Sequence, residues 1–150
     1  MLIAAGEVSP VDVISDALAA AEAIGPTLNC FITVCAERAC EEAQAAEKRL
    51  ANGGQARPLE GIPFTAKDLI DTGGVRTTFG SLIHEHRVPD ADAVAVARLR
   101  EAGAILVAKT TTPEFGHKAF TDAPLFGRTR NAWHSERTCG GSSGGAAAAT

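Results

Sequence analysis

The chain has 150 residues and a net charge of −4, with 45% hydrophobic and 21% charged residues. This balance excludes an intrinsically disordered class and fits one domain with a real core. The acidic balance, with no basic run longer than two residues, gives no electrostatic footprint for nucleic acid, and no apolar stretch reaches the roughly 18 residues of a membrane span. Tyrosine is absent and 29 residues are alanine. Elements can therefore pack closely, but each contributes little buried area.

The start, Met1 to Glu7, lacks the basic flank and apolar length of a signal peptide, so the cytoplasm is the expected location. Ser9-Pro10-Val11-Asp12 predicts a helix start with a capping hydroxyl and a proline in the first turn. Val11, Ile14, Leu18 and Ala21 recur at helical spacing, and Gly25-Pro26 is expected to end that helix. Asn29–Val34 reads as a short strand. A second helix is expected from about Ala36 to Asn52, with Ala39, Ala43, Ala46 and Leu50 inward and Gly53-Gly54 closing it. Gly61–Ala66 reads as a short strand, with Pro63 arguing for an edge or an irregular entry. It delivers Lys67 and Asp68 into the loop Asp71–Gly74. A third helix is expected from near Asp90 to Gly103. Ala104–Ala108 suits a buried parallel strand, and helix followed by buried strand favours an α/β layer fold. Lys109 to Cys139 reads as polar and irregular, a length that is uncommon unless it lines a site. The final alanine run reads as the first turns of a helix, and its stop there suggests an incomplete polypeptide. Cys30, Cys35, Cys40 and Cys139 show no metal spacing and no disulfide framework, so reduced thiols are expected.

Two features carry chemistry. Gly140-Gly141-Ser142-Ser143-Gly144-Gly145 places two hydroxyls among four glycines at a helix start, where amides suit an anion or a developing oxyanion. No lysine follows as in a P-loop, and the dinucleotide spacing fails. A catalytic serine loop and a flexible linker both remain open. Lys67 follows an apolar strand. Its ordinary pKa of about 10.4 makes a poor base at neutral pH, and burial can lower it. Asp68 would hold the charge on that amine, so it must point elsewhere if Lys67 is a base. The alternative is a surface Lys–Asp pair.

Together, Gly61–Asp68, Thr77–Ser81, Lys109–Gly116, Gly127–Trp133 and Gly140–Gly145 closely resemble the amidase signature family, across essentially the whole chain. The resemblance implies an α/β fold, the N-terminal part of a mixed β-sheet core flanked by helices, with residues 1–150 as the N-terminal portion of a single domain truncated at its C-terminal end. It implies amide hydrolysis by a Ser–cisSer–Lys triad without metal or cofactor. By match, Lys67 is the general base and Ser142 the bridging serine in a cis peptide. Gly140, Gly141, Ser143 and Gly144 support the loop or bind substrate. Cys139 and Ala132 stand where the family often has proline. The acylated serine is expected roughly two dozen residues beyond Ser142, in a second loop that supplies oxyanion-hole amides. The 150 residues alone are therefore expected to be inactive, and poorly stable for want of further strands.

Pro124-Leu125-Phe126-Gly127 with Asn131 and Trp133 looks more like the bacterial amidase branch than the glutamyl-tRNA amidotransferase A subunits. The expected partner is a small-molecule amide, with no direct nucleic acid and no membrane; homo-oligomerisation of the complete protein is left open. The alternatives are an amidotransferase A-subunit-like glutaminase and a non-catalytic truncated protein. His84 and His86 are expected in a solvated loop, His117 and His134 carry no assigned role, and Glu114 is expected to be structural. Asn131 and Trp133 are expected to brace the loop before the serines, with Asp12, Asp16 and Glu22 on a solvated helix face.

Overall fold

The computed structural model describes residues 2–150; Met1, part of the N-terminal reading, lies outside them. Helix α1 spans Pro10–Leu28. Its start follows the sequence: Ser9 Oγ accepts the N–H groups of Val11 (3.0 Å) and Asp12 (3.4 Å), satisfying donors that have no partner within the helix. Asp12, Asp16 and Glu22 are exposed as expected. The Gly25-Pro26 pair does not end the helix. Pro26 lies in the last turn, so its missing N–H frees only the carbonyl of exposed Glu22. The end comes at Asn29, whose backbone is left-handed (φ 51°, ψ 47°) and whose N–H bonds the Gly25 carbonyl at 2.7 Å.

Strand β1 is Phe31–Val34, and helix α2 is Ala36–Ala51. Ala39, Ala43 and Ala46 are buried along one face of α2. Their small side chains let α1 and α2 close over strand β3 (Ile105–Thr110), with Ile14, Ala39, Ala43, Ile105 and Val107 as the core. Strand β2 is Pro63–Lys67. The sheet order is β1-β3-β2, with β3 antiparallel to β1 and parallel to β2. The sheet is thus mixed and helix-flanked, and every residue of β3 is buried. Among the described residues β2 lies at an edge of the sheet and Pro63 opens it, so the missing N–H breaks no ladder bond there. Ala66, Val75, Val96 and Leu106 form a second buried cluster. The connector before β2 is held by buried Glu60, which accepts from Arg57 Nε (2.8 Å), Arg57 Nη2 (2.9 Å) and Arg49.

Helix α3 spans Val94–Glu101 and starts later than the expected Asp90. Residues 90–93 are used as a clasp instead. Asp92 accepts the Gly73 N–H at 2.7 Å and pairs with Arg100 at 2.8 Å, while Ala93 N–H reaches the Asp71 carbonyl at 2.8 Å. Segment 109–139 is not wholly irregular. Lys109 and Thr110 extend β3, and Asp122–Ala123 (β4) pairs with Gly127–Arg128 (β5). Periodicity cannot register strands of two residues. Helix α4, Gly144–Ala149, packs against α1, β2 and β3. The four cysteines are free, and no helix among the described residues is long and apolar enough to cross a membrane.

Candidate active site

Strand β2 carries Lys67 to its C-terminal end, beside Thr110 of β3. The glycine-serine loop reaches the same end. Gly140 has a left-handed backbone (φ +78°), and the Gly141–Ser142 peptide is cis. Thr121 ties both ends of the loop: its Oγ1 donates to the Gly140 carbonyl at 3.0 Å and accepts the Gly144 N–H at 3.0 Å. A side chain at Gly144 would run into Thr121 Oγ1 at 2.3 Å, and one at Gly141 into the Phe120 backbone at 2.9 Å. The glycines are there because the backbone lies against its neighbours.

This packing aims both hydroxyls at one amine. Lys67 Nζ lies 2.7 Å from Ser142 Oγ and 2.9 Å from Ser143 Oγ. Ser142 is partly buried and Ser143 exposed. Burial lowers the Lys67 pKa from its ordinary value. The charged amine donates to the serine oxygens; once neutral, it can accept a hydroxyl proton over the same distance.

Asp68 meets the condition set by the sequence. Its carboxylate is fully buried and turned away from Lys67. It accepts the Thr78 N–H (3.1 Å), the Thr78 hydroxyl (2.5 Å) and the Gly80 N–H (3.4 Å). Burial raises its pKa, opposed by these bonds.

Gly116 borders the pair: a Cβ there would sit 3.8 Å from Ser142 Oγ. Glu114 accepts the Ser81 hydroxyl at 2.7 Å, which is the expected structural part. His84 departs from the solvated-loop expectation. Its ring packs edge-on against Phe79 (5.3 Å between centroids) and Phe115 (6.0 Å), because the 3-10 turn Leu82–His84 folds back over both. His86 is exposed. Asn131 braces its loop by donating to the Thr138 carbonyl at 3.1 Å and accepting from Trp133 N–H at 2.8 Å. Trp133 does not brace it: Asn131 closes the turn through backbone groups alone, and the indole is 97% exposed. Among the described residues, no cluster of three His, Cys, Asp or Glu side chains could hold a metal ion.

Sequence reasoning missed Lys109. Its side chain is fully buried, and its Nζ donates to the Ile70 carbonyl (2.5 Å), Thr72 Oγ1 (2.8 Å) and Thr77 Oγ1 (3.0 Å). Burial brings its pKa to about 8. The available signal was a lysine directly after a continuous apolar run, where a buried strand continues.

Comparison with known proteins gives the family of the chain. The Amidase family profile matches residues 12–150. The glutamyl-tRNA(Gln) amidotransferase A subunit of Geotalea daltonii is 47% identical over 143 residues, covering 95% of this chain and 29% of the relative. A chain of a vestigial protein complex linked to the origins of an s-triazine catabolic enzyme superposes with a TM-score of 0.93 at 41% identity, covering 99% of this chain and 33% of the other. A bacterial aryl acylamidase of the amidase signature family superposes at 0.92 with 29% identity, covering 98% and 31%. The chain spans no more than about a third of the length of each, and it belongs to the amidase family.

Proposed function

We propose that the chain supplies the base and the bridging serine of a serine-dependent amide hydrolase, as the N-terminal portion of one catalytic domain. The observation that carries this reading is the 2.7 Å contact between Lys67 Nζ and Ser142 Oγ, with Asp68 bonded elsewhere. Neutral Lys67 draws a proton from Ser142, which takes one from the free hydroxyl of a nucleophilic serine located past Thr150. That serine attacks the amide carbonyl and forms an acyl-enzyme. The proton returns through Ser142 to the departing amine, and water then repeats the sequence on the ester. Ser143, hydrogen-bonded to the same amine, tunes its proton affinity; Gly141 and Gly144 let the loop lie against its neighbours, and Gly140 supplies its left-handed backbone. No metal or cofactor takes part. The substrate is a small carboxamide. The reaction belongs to the cytoplasm, a reading supported by the four free thiols.

A second reading has its own support. The amidotransferase relative at 47% identity favours glutamine as the amide and partner subunits as acceptors of the ammonia. One experiment addresses both. Ammonia release by the native-length gene product is measured on a carboxamide panel that includes glutamine. Turnover of simple carboxamides without partner subunits, abolished by Ser142→Ala, is the expected result. Glutamine turnover only when partner subunits are added would move the assignment to the second reading. Full activity of Ser142→Ala would remove Ser142 from either mechanism.

A further inference from the structure

Lys109 has the largest fully buried side chain among the described residues. Its backbone pairs with Ala66, one residue before Lys67. Its ammonium lies inside loop 68–80, with its three protons on Ile70 O, Thr72 Oγ1 and Thr77 Oγ1. Those hydroxyls pass their own protons to Ile70 O (3.1 Å) and Val75 O (3.1 Å). The loop therefore wraps one cation with neutral acceptors.

No carboxylate touches Lys109 among the described residues, yet several charged or titratable groups face it: Asp68 and Asp71 from the loop, Cys35 from the turn before α2, and Arg100 from α3. Asp71 is engaged by Arg87 (2.7 and 2.8 Å), and Arg100 by Asp92. Burial raises the Cys35 pKa, which favours its neutral thiol. Asp68 is the remaining carboxylate and the strongest charge favouring the Lys109 ammonium. It is also the chain neighbour of Lys67. Released from Thr78 and Gly80, it would pair with Lys67 and hold the proton there.

We propose that Lys109 is a positioning residue for the Lys67–Ser142 pair: its buried ammonium holds loop 68–80 in the fold that keeps the Asp68 carboxylate on Thr78 and Gly80 and away from Lys67. Asp68 touches neither lysine; the loop that Lys109 holds keeps it on Thr78 and Gly80. This rests on the reading of Lys67 as the base.

The test is a titration that needs no turnover. In the native-length gene product labelled with ¹³Cε-lysine, the Lys67 and Lys109 resonances are assigned by their loss in Lys67→Arg and Lys109→Met. In Lys109→Met the Lys67 midpoint is expected to rise by about one pH unit. Adding Asp68→Asn is expected to return it to the wild-type value. An unmoved Lys67 midpoint in folded Lys109→Met overturns the proposal, since a merely structural role would lower the melting temperature alone. A rise that persists in the double variant overturns it too, because it reports direct repulsion between the lysines. If Lys109→Met does not fold, Asp68→Asn decides. The Lys109 midpoint is expected to fall there, and an unchanged midpoint overturns the assignment of Asp68 to Lys109. Near-normal hydrolysis by Lys67→Ala would defeat the underlying catalytic reading, whatever these titrations show.

Discussion

Gly145→Ala puts the close approach behind the serine loop to a sharp test, because elementary helix propensity gives the opposite sign. In the interior of a helix, replacing glycine by alanine normally stabilises by up to about 1 kcal/mol. At Gly145 a Cβ would lie 2.3 Å from Thr111 N, 2.4 Å from Thr111 Oγ1 and 2.7 Å from Cys30 O. Two of these atoms are backbone, and they are bonded to each other at 2.9 Å, so the groove cannot open by turning a side chain. Helix α4 must move outward. Overpacking of this kind destabilises by about 1–3 kcal/mol. Loss of the Gly145 N–H bond to the Thr111 carbonyl, 3.3 Å long, adds about 1 kcal/mol. Set against the propensity gain, the net destabilisation is about 2 kcal/mol, or a melting temperature lower by roughly 6 °C. Urea denaturation followed by circular dichroism reads it as a lower midpoint. A midpoint at or above that of the wild type would refute the packing argument.

Further predictions follow from named contacts. The Glu60 pKa is held down to about 2 by hydrogen bonds from Arg57 and then Arg49. Its stabilisation is therefore full above pH 4.5 and lost as pH falls toward 2; discounted for the half-exposed guanidiniums it amounts to about 2 kcal/mol. The stability gap between wild type and Glu60→Gln should close between pH 6 and pH 2, and a constant gap would contradict the assignment. Asn29 combines a left-handed backbone with side-chain bonds to Phe126 O (2.7 Å) and Arg128 O (3.2 Å). Thermal unfolding should rank Asn29→Ala below Asn29→Gly by about 1 kcal/mol, because glycine removes the backbone strain but not the lost bonds; equal loss would show that the strain is negligible. Trp133→Ala should change stability by less than about 0.5 kcal/mol, since the indole packs on almost nothing. A larger change in the urea midpoint would place that ring against the fold.

Much of the fold was legible because local signals and tertiary packing agree. Ser9-Pro10 set the start of α1, the alanine spacing set the buried face of α2, and the apolar run set β3. Misreadings arose where tertiary bonds outweighed local signals. Asp92 reads as helix N-terminal sequence, yet its carboxylate is bonded to Gly73 and Arg100, which delays α3. Pro26 reads as a breaker, but in the last turn it frees only one exposed carbonyl. The site divides similarly. Lys67 and the two serines were visible as residue types at a strand end and a helix start. The deflection of Asp68 by Thr78 and Gly80, and the burial of Lys109, depend on how loop 68–80 folds. Neither is encoded at a fixed spacing that one sequence reveals.

In the proposed mechanism Lys67 drives amide hydrolysis through Ser142. The most direct measurement is kcat/KM of the native-length gene product on its best carboxamide, compared with Lys67→Ala at matched folding. Removing a positioned general base should lower it by roughly 10²–10⁴-fold. Near-normal turnover by Lys67→Ala would mean that the 2.7 Å contact is structural and that the catalytic proton moves elsewhere.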